Sequence, residues 1–253
     1  MISSAQSVFL EEINEGRGYS TRITLTEREL TQLRQMIRMQ WLYRLQVLVP
    51  QHIRQFDSNG IEYYHRLSHL IDHQTAWPKV TRVLPREAVC VIRKMDFFKT
   101  LESLVGPFYI SDEEYLGWEN IYWRLVRPNE CDVGSLHADR WFWEIGGYGE
   151  VASFPHTRLK IWIAIYTVSG KNGFLVVPGS HLKQDWRWHI EKRYGLLKPV
   201  LNEPIDSPSV TLLPLSPGES VVFHDSLIHG GALNTADTVR VNLEFTLLIP
   251  RDK

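Results

Sequence analysis

"RLKIWIAIYTV", residues 158–168, offers almost nothing to water. Alternate residues of a strand point to opposite sides of a sheet. Lys160, Trp162, Ala164 and Tyr166 are therefore predicted on one side, and Leu159, Ile161, Ile163 and Ile165 on the other. Apolar groups dominate both sets, so the strand needs cover twice: a closed or two-layer sheet on one face and other elements on the second.

The rest of the chain supplies both covers. After Pro107, short β-rich runs alternate with Gly, Pro, Asn and Asp: "NIYWRLVRP", "GFLVVPGS", "SVTLLPL", "ESVVFHD" and "VRVNLEFTLLI". They read as antiparallel strands. Before Pro107 the texture is mainly helical. "TLTERELTQLRQMIRMQWLYRLQVLVP" opens with Thr26 and carries Glu29 three residues on, a capping-box spacing that predicts a long helix ending near Pro50. "SNGIEYYHRLSHLIDHQ" is a second helical stretch, and "PREAVCVIRKMDFFKTLESLVG" a third that stops at Gly106-Pro107. The expected architecture is mainly β with α: a double-stranded β-helix, or jelly roll, over residues 107–253, with a helical buttress within 1–106. No repeat, low-complexity tract or linker divides the chain, so residues 1–253 are expected to form a single domain.

Composition narrows the function classes. The 253 residues, 43% hydrophobic and 23% charged, suffice for a sizeable core. A net charge of −1 gives no field to hold nucleic acid or an anionic membrane, which leaves recognition to a local pocket. Cys90 and Cys131 sit in no paired motif, which fits a reducing compartment. The beginning, "MISSAQSVFLEEINEGRGYS", places acidic residues soon after a short apolar patch, unlike a signal peptide, and no run reaches membrane-spanning length. A cytoplasmic protein is expected.

Two further stretches carry chemistry. "GSLHADRWFWE" (134–144) sets Asp139 two residues after His137, and "FHDSLIHGG" (223–231) ends an apolar run with His229. On an extended segment His137 and Asp139 project to the same side. A jelly roll lays strands from the start and end of its core side by side, so His229 can join them at the barrel mouth. Two imidazoles and one carboxylate on one face of an octahedral metal, the other positions open, are the arrangement of non-haem Fe(II) oxygenases. A His-x-Asp pair alone is common. Arg240 adds a second feature, 11 residues after His229 and inside the last apolar strand. An arginine is costly to bury without an anion, and its planar fork suits a carboxylate, which a dicarboxylate co-substrate would supply.

The ordered combination of "LHAD", "IWIAIYTVSGKNGFLVVPGSHL" and "SPGESVVFHDSLIHGGALNTADTVRVNLEF" resembles the phytanoyl-CoA dioxygenase-like branch of the Fe(II)/2-oxoglutarate-dependent oxygenases. The resemblance runs from "LVGPFYI" to the end. It implies that His137, Asp139 and His229 bind iron and that Arg240 grips the distal carboxylate of 2-oxoglutarate. It also implies that Trp162 contacts the co-substrate, as a tryptophan does in some relatives; the other reading of Trp162 is a core aromatic. A hydroxyl residue often found two positions after the distal histidine is Gly231 here, so that contact is missing or replaced. His181 in "PGSHL" is expected to pack a turn and is left out of the metal set. Fe(II), 2-oxoglutarate and O2 are the implied cofactor and co-substrates, with hydroxylation of an unactivated C–H bond and release of succinate and CO2. The presence of Asp139, where a smaller residue would leave room for chloride, disfavours halogenation. Desaturation and ring closure remain open.

For the substrate, Arg140, Trp141 and Trp143 directly follow Asp139, and "DWRWHIEKRY" (185–194) forms a second aromatic and basic cluster. Either these line the entrance of a pocket for a polar, ring-bearing small metabolite, or the tryptophans are packing residues. Asn242 and Glu244 alternate with Arg240 and are expected toward the cavity, although Glu244 could pair with a buried base instead. His65, His69 and His73, at helical spacing with no carboxylate or cysteine to complete a site, read as a solvated helix face. The competing function is a non-catalytic jelly-roll protein that binds sugars or metabolites through its aromatic clusters. Such a protein has no need of Arg240 beside three metal-type ligands. Nothing in the sequence sets an oligomeric state.

Overall fold

Residues 158–166, apolar on both sides, lie in one of the two long central strands of the larger sheet, and the rest of the molecule is arranged to cover them. A computed structural model describes residues 4–146, 154–193 and 196–251. Tyr194, at the end of the second aromatic cluster, lies outside the described residues. The chain runs through α1 (Ser4–Asn14), β1 (Tyr19–Ser20), α2 (Glu27–Leu48), α3 (Ile53–Asn59), a 3₁₀ stretch (Ile61–Leu70), α4 (His73–Ala76), α5 (Arg86–Ile92) and α6 (Asp96–Val105). There follow β2 (Tyr109–Ile110), β3 (Tyr122–Val126), α7 (Asp139–Glu144), β4 (His156–Tyr166) and β5 (Phe174–Val176). The last part comprises β6 (Trp188–Arg193), β7 (Leu196–Leu201), β8 (Thr211–Leu212), β9 (Ser220–His224), β10 (His229–Gly231) and β11 (Arg240–Pro250).

Among the described residues, six strands form the larger sheet in the order β1-β9-β4-β11-β2, with β3 also pairing β11, and a smaller sheet runs β10-β5-β8. All the pairings are antiparallel. The two faces of β4 divide as alternation predicts. Leu159, Ile161, Ile163 and Ile165 join Leu33, Ile37, Trp41, Phe97 and Phe98 in one core between sheet and helices. Trp162 and Ala164 pack inward with Phe174 and Val176 of the smaller sheet. Two sheets enclosing one apolar layer, with helices on the outer face of one, make the expected jelly roll and its buttress.

Several local expectations need correcting. Tyr166 leaves the inner face: Val241 pairs with Tyr166 but Asn242 with Ala164, so β4 carries an extra residue that turns Tyr166 to the helical side, under the Arg34 guanidinium. The third helical stretch is two helices, because Met95 is extended (φ −66°, ψ 151°). The restart at α6 finds its cap in another helix: Glu29 closes the capping box with Thr26 and also accepts the Phe97 N–H at 3.0 Å. The second stretch is 3₁₀ over Ile61–Leu70, so His65, His69 and His73 share no α-helical face. His73 is half-buried, held by Tyr64 Oη at 3.2 Å and Asp132 at 3.5 Å. The second aromatic cluster is partly a strand, β6, in a hairpin with β7 that alternation had not suggested. No helix among the described residues is long and apolar enough to cross a membrane.

Candidate metal centre and co-substrate pocket

The last residues of the segment before α7 form an isolated β-bridge with β10, in which His137 and His229 exchange both backbone hydrogen bonds, at 3.0 and 2.9 Å. This bridge brings together two histidines nearly a hundred residues apart, and their ring centroids lie 4.6 Å from each other. The chain then turns. Asp139 is the first residue of α7, not part of an extended run, and its carboxylate meets the two imidazoles from the helix start. Asp139 Oδ1 lies 3.8 Å from His137 Nε2, and Oδ2 lies 3.5 Å from His229 Nε2.

The far nitrogen of each ring is committed. His137 Nδ1 lies 2.8 Å from the Ser135 carbonyl and His229 Nδ1 lies 2.9 Å from that of Leu227, so each Nδ1 carries the proton and each Nε2 presents a lone pair. Burial, with His229 alongside, pushes the His137 imidazole down to about 4, which keeps it neutral near pH 7. Burial alone would raise the Asp139 carboxyl, but Lys160 and the two imidazoles bring it below its ordinary value. One ligand atom from each of the three residues lies within 4.8 Å of the others, so the group could hold a metal ion; among the described residues it is the only such cluster. Phe174 stacks on His229 at 5.2 Å and Phe223 lies 4.6 Å from it, giving an apolar wall.

Arg240, at the start of β11, is 1% exposed. Its Nη1 donates to the Gly173 carbonyl at 2.7 Å and, more weakly, to Ala232 at 3.4 Å, while Nε has no partner. Among the described residues no carboxylate lies within ion-pair distance of it. Burial, then Arg124, lower the guanidinium to about 10, so the charge persists at neutral pH. Gly231 stands where the hydroxyl residue of relatives would be, and a Cβ there would lie 3.0 Å from Arg240 Nη2. The guanidinium packs into the room this glycine leaves.

Cross-strand register places the other inward groups. Asn242 is opposite Arg124 and Glu244 opposite Tyr122 on β3, while Ala164 and Trp162 flank them on β4. Trp162 is buried with its ring 5.7 Å from that of Phe174. Asn242, fully buried, donates to Glu244 at 2.7 Å and leaves its Oδ1 without a partner. Glu244 pairs with Arg124 at 3.6 Å, a base that is partly exposed and not the buried one expected. Its burial would raise its pKa, but Arg124 and then Lys160 hold it at about 2.

Because residues 139–144 are helical, the three side chains after Asp139 fan out and do not line one edge. Arg140 is exposed, pairing with Glu144 at 2.8 Å and reaching Gln184 at 3.2 Å. Trp141 is buried and stacked on Trp188 of the hairpin at 5.4 Å. Trp143 lies under the Arg158 guanidinium at 4.8 Å, and Arg158 itself holds Asp225 at 2.8 Å. His181 packs a turn as expected: its Nε2 meets the Asn14 carbonyl at 3.2 Å, and a Cβ on Gly18 would sit 2.5 Å from its Nδ1. Sequence reasoning gave no role to Lys160 or Glu113, which form a buried pair at 3.3 Å beside Asp139. The signal was a lysine inside an apolar strand, the same signal that marked Arg240.

The family model for phytanoyl-CoA dioxygenase (PhyH) matches residues 52–242, well over half of the chain. No curated protein matches it significantly. Among solved structures, EvdO2 from Micromonospora carbonacea var. aurantiaca complexed with 2-oxoglutarate is similar at 17% identity and a TM-score of 0.60, covering 100% of this chain and 95% of that one. The non-heme monooxygenase ThoJ, in its apo form, is 17% identical with a TM-score of 0.59 over 96% of this chain and 78% of its own. SnoK, a non-heme alpha ketoglutarate dependent carbocyclase from nogalamycin biosynthesis, is 17% identical with a TM-score of 0.52 over 98% and 84%. At these identities the structures speak for the fold.

Proposed function

The chain belongs to the phytanoyl-CoA dioxygenase family and is an Fe(II)- and 2-oxoglutarate-dependent oxygenase; on that premise we propose that His137, Asp139 and His229 hold its iron, that Arg240 holds the distal carboxylate of 2-oxoglutarate, and that it hydroxylates a polar small metabolite. The observation that carries this reading is the pairing of the three-residue cluster with a buried guanidinium that no carboxylate of the described residues neutralises. A buried charge without a counter-ion is strongly disfavoured, and a dicarboxylate ligand removes that penalty while satisfying Arg240 Nε. Family membership displaces the alternative of a non-catalytic binding protein.

When bound, Fe(II) with 2-oxoglutarate and O2 supplies an oxidant able to break an unactivated C–H bond, with release of succinate and CO2. The chain's own part is geometric. Backbone carbonyls of Ser135 and Leu227 fix both imidazole tautomers, the aromatic wall of Phe174 and Phe223 keeps water from His229, and Gly231 admits the guanidinium. Trp162 and the unpartnered Asn242 Oδ1 are assigned to the co-substrate side of the same inner face. The prime substrate is assigned to the side of α7, where Arg140 and Trp143 offer a cation and a broad apolar face, while Trp141 fastens the β6–β7 hairpin to the helix. The family match over residues 52–242 supports one oxygenase unit.

The class of substrate is drawn from structural neighbours: SnoK comes from nogalamycin biosynthesis, and SnoN, an epimerase of similar fold, was solved in complex with nogalamycin RO. A library of polar, ring-bearing metabolites, incubated with Fe(II), 2-oxoglutarate and O2, tests the reading. The expected product gains one oxygen atom, with equimolar succinate above the uncoupled background. A product that has lost two hydrogens and gained no oxygen would replace hydroxylation by desaturation or ring closure.

A further inference from the structure

Lys160 is buried at 3% exposure on the inner face of β4, an expensive place for an ammonium group. Its surroundings show how the charge is balanced. Nζ donates to Thr246 Oγ1 at 2.7 Å and lies 3.3 Å from Glu113 Oε1 and 3.7 Å from Asp139 Oδ2. The Thr246 hydroxyl in turn donates to Glu113. Glu113, however, already has a closer cation, Lys79 at 2.6 Å. Lys79 is itself shared, since it also meets Glu114 at 3.1 Å, so Lys160 serves Glu113 and Asp139 together and stands as a fixed cation beside the Asp139 carboxylate.

We propose that Lys160 is a resident counter-ion for Asp139, which balances the carboxylate when the metal site is empty and opposes the dication when it is filled, so that this chain holds its metal less tightly than its three ligands alone would. The proposal rests on the assignment of Asp139 as a metal ligand. Without Lys160, the buried Asp139 would lose the fixed cation 3.7 Å from its Oδ2 and keep the two neutral imidazoles beside it, and a divalent cation would relieve more of the burial penalty. With Lys160 in place much of it is already relieved, and the incoming cation also meets a fixed like charge across the same carboxylate in a low-dielectric interior. Both effects weaken metal binding. A lysine that merely braced the carboxylate would act in the opposite direction, since its removal would let Asp139 wander and metal would be lost. The sign of the change therefore separates the two roles.

The experiment is a Mn(II) titration of the metal-free protein in the absence of 2-oxoglutarate, with free Mn(II) read by electron paramagnetic resonance. Wild type is expected to bind and Asp139→Ala to lose binding. Lys160→Met should bind Mn(II) tighter by about tenfold or more, as expected for removing a like charge close to a buried dication. Lys160→Arg, which keeps the charge, should stay close to wild type. If the methionine variant does not fold, Lys160→Gln keeps donors toward Thr246 and Glu113 without the charge and carries the same expectation. Unchanged or weaker Mn(II) binding in the neutral variants overturns the counter-ion role while leaving the metal site standing. Wild type that binds no Mn(II), or binding that survives Asp139→Ala, overturns the metal site itself and the counter-ion role with it.

Discussion

Each imidazole of the candidate triad is oriented by what its far nitrogen does, and Arg240 is oriented by what Gly231 lacks. Arg240→Ala is expected to raise the 2-oxoglutarate requirement by the equivalent of about 2–5 kcal/mol, the usual result of stripping one partner from a buried charge pair. Arg240→Lys should restore little, because an ammonium cannot reproduce the planar fork. Affinity for 2-oxoglutarate, measured by quenching or calorimetry, decides; an unchanged value in either variant would place the co-substrate elsewhere. Gly231→Ala tests the same pocket from the other side. Its Cβ would press on Arg240 Nη2 and on Val133 at 3.0 Å, so 2-oxoglutarate binding should weaken while Mn(II) binding, which does not use Arg240, stays as it was. At this scale the sequence showed Arg240 because an arginine in an apolar strand is conspicuous by itself. Lys160 was equally conspicuous, but its partners are not local: Glu113 lies 47 residues away, and no strand pattern pairs the two.

Among the elements, α2 acts as a fastener as well as a buttress. Thr26→Ala should cost about 1 kcal/mol, the ordinary value of an N-cap. Glu29→Ala should cost more, about 2–3 kcal/mol, because the buried Phe97 N–H at the start of α6 loses its acceptor together with the capping box. Urea midpoints of the two variants check the order, and equal losses would mean that Glu29 serves α2 alone. The capping box was legible since it is local. The break before α6 was not, because the residue that caps it belongs to another helix. The short helix at Asp139 also escaped, because its N-cap is Ala138, which makes no side-chain cap, and its Arg140 N–H is accepted by the distant Asp225 carbonyl. A pH prediction belongs here as well, since His73 ties α4 to the loop leading into the metal segment through Asp132. Burial, partly offset by Asp132, pushes its imidazole from 6.5 down to about 4. Between those values the unfolded chain binds the proton more readily, so stability rises with pH. The contribution, at most about 3 kcal/mol, is complete above the unfolded value and is lost as pH falls toward 4. In metal-free protein His137 adds to the same slope. His73→Gln should flatten the dependence of the urea midpoint between pH 7 and 4, and an unaltered slope would show that the pair does not titrate with folding.

In the molecule as a whole, one apolar strand organises two environments. Its outer face joins the helices in a core running from Phe9 to Leu247, and its inner face joins the smaller sheet beside the polar groups assigned to the candidate site. The architecture could be read in advance because a strand without a polar side demands two covers, and the covers were visible as a helical first part and a strand-rich second part. The interior wiring was harder to read, since Arg124, Glu244, Lys160 and Glu113 are matched across strands whose register the sequence does not state. These layers bring His137, Asp139 and His229 together, and we assign the three as the iron ligands of a 2-oxoglutarate-dependent oxygenase. The most direct test of that assignment is an anaerobic titration of the metal-free protein with Fe(II) and 2-oxoglutarate, followed by the weak visible charge-transfer band of the Fe(II)–keto-acid complex. The band should grow to one equivalent in wild type and be absent in folded Asp139→Ala and His229→Ala. A wild type without the band, or a band that persists in Asp139→Ala, would overturn the assignment of these three residues to iron.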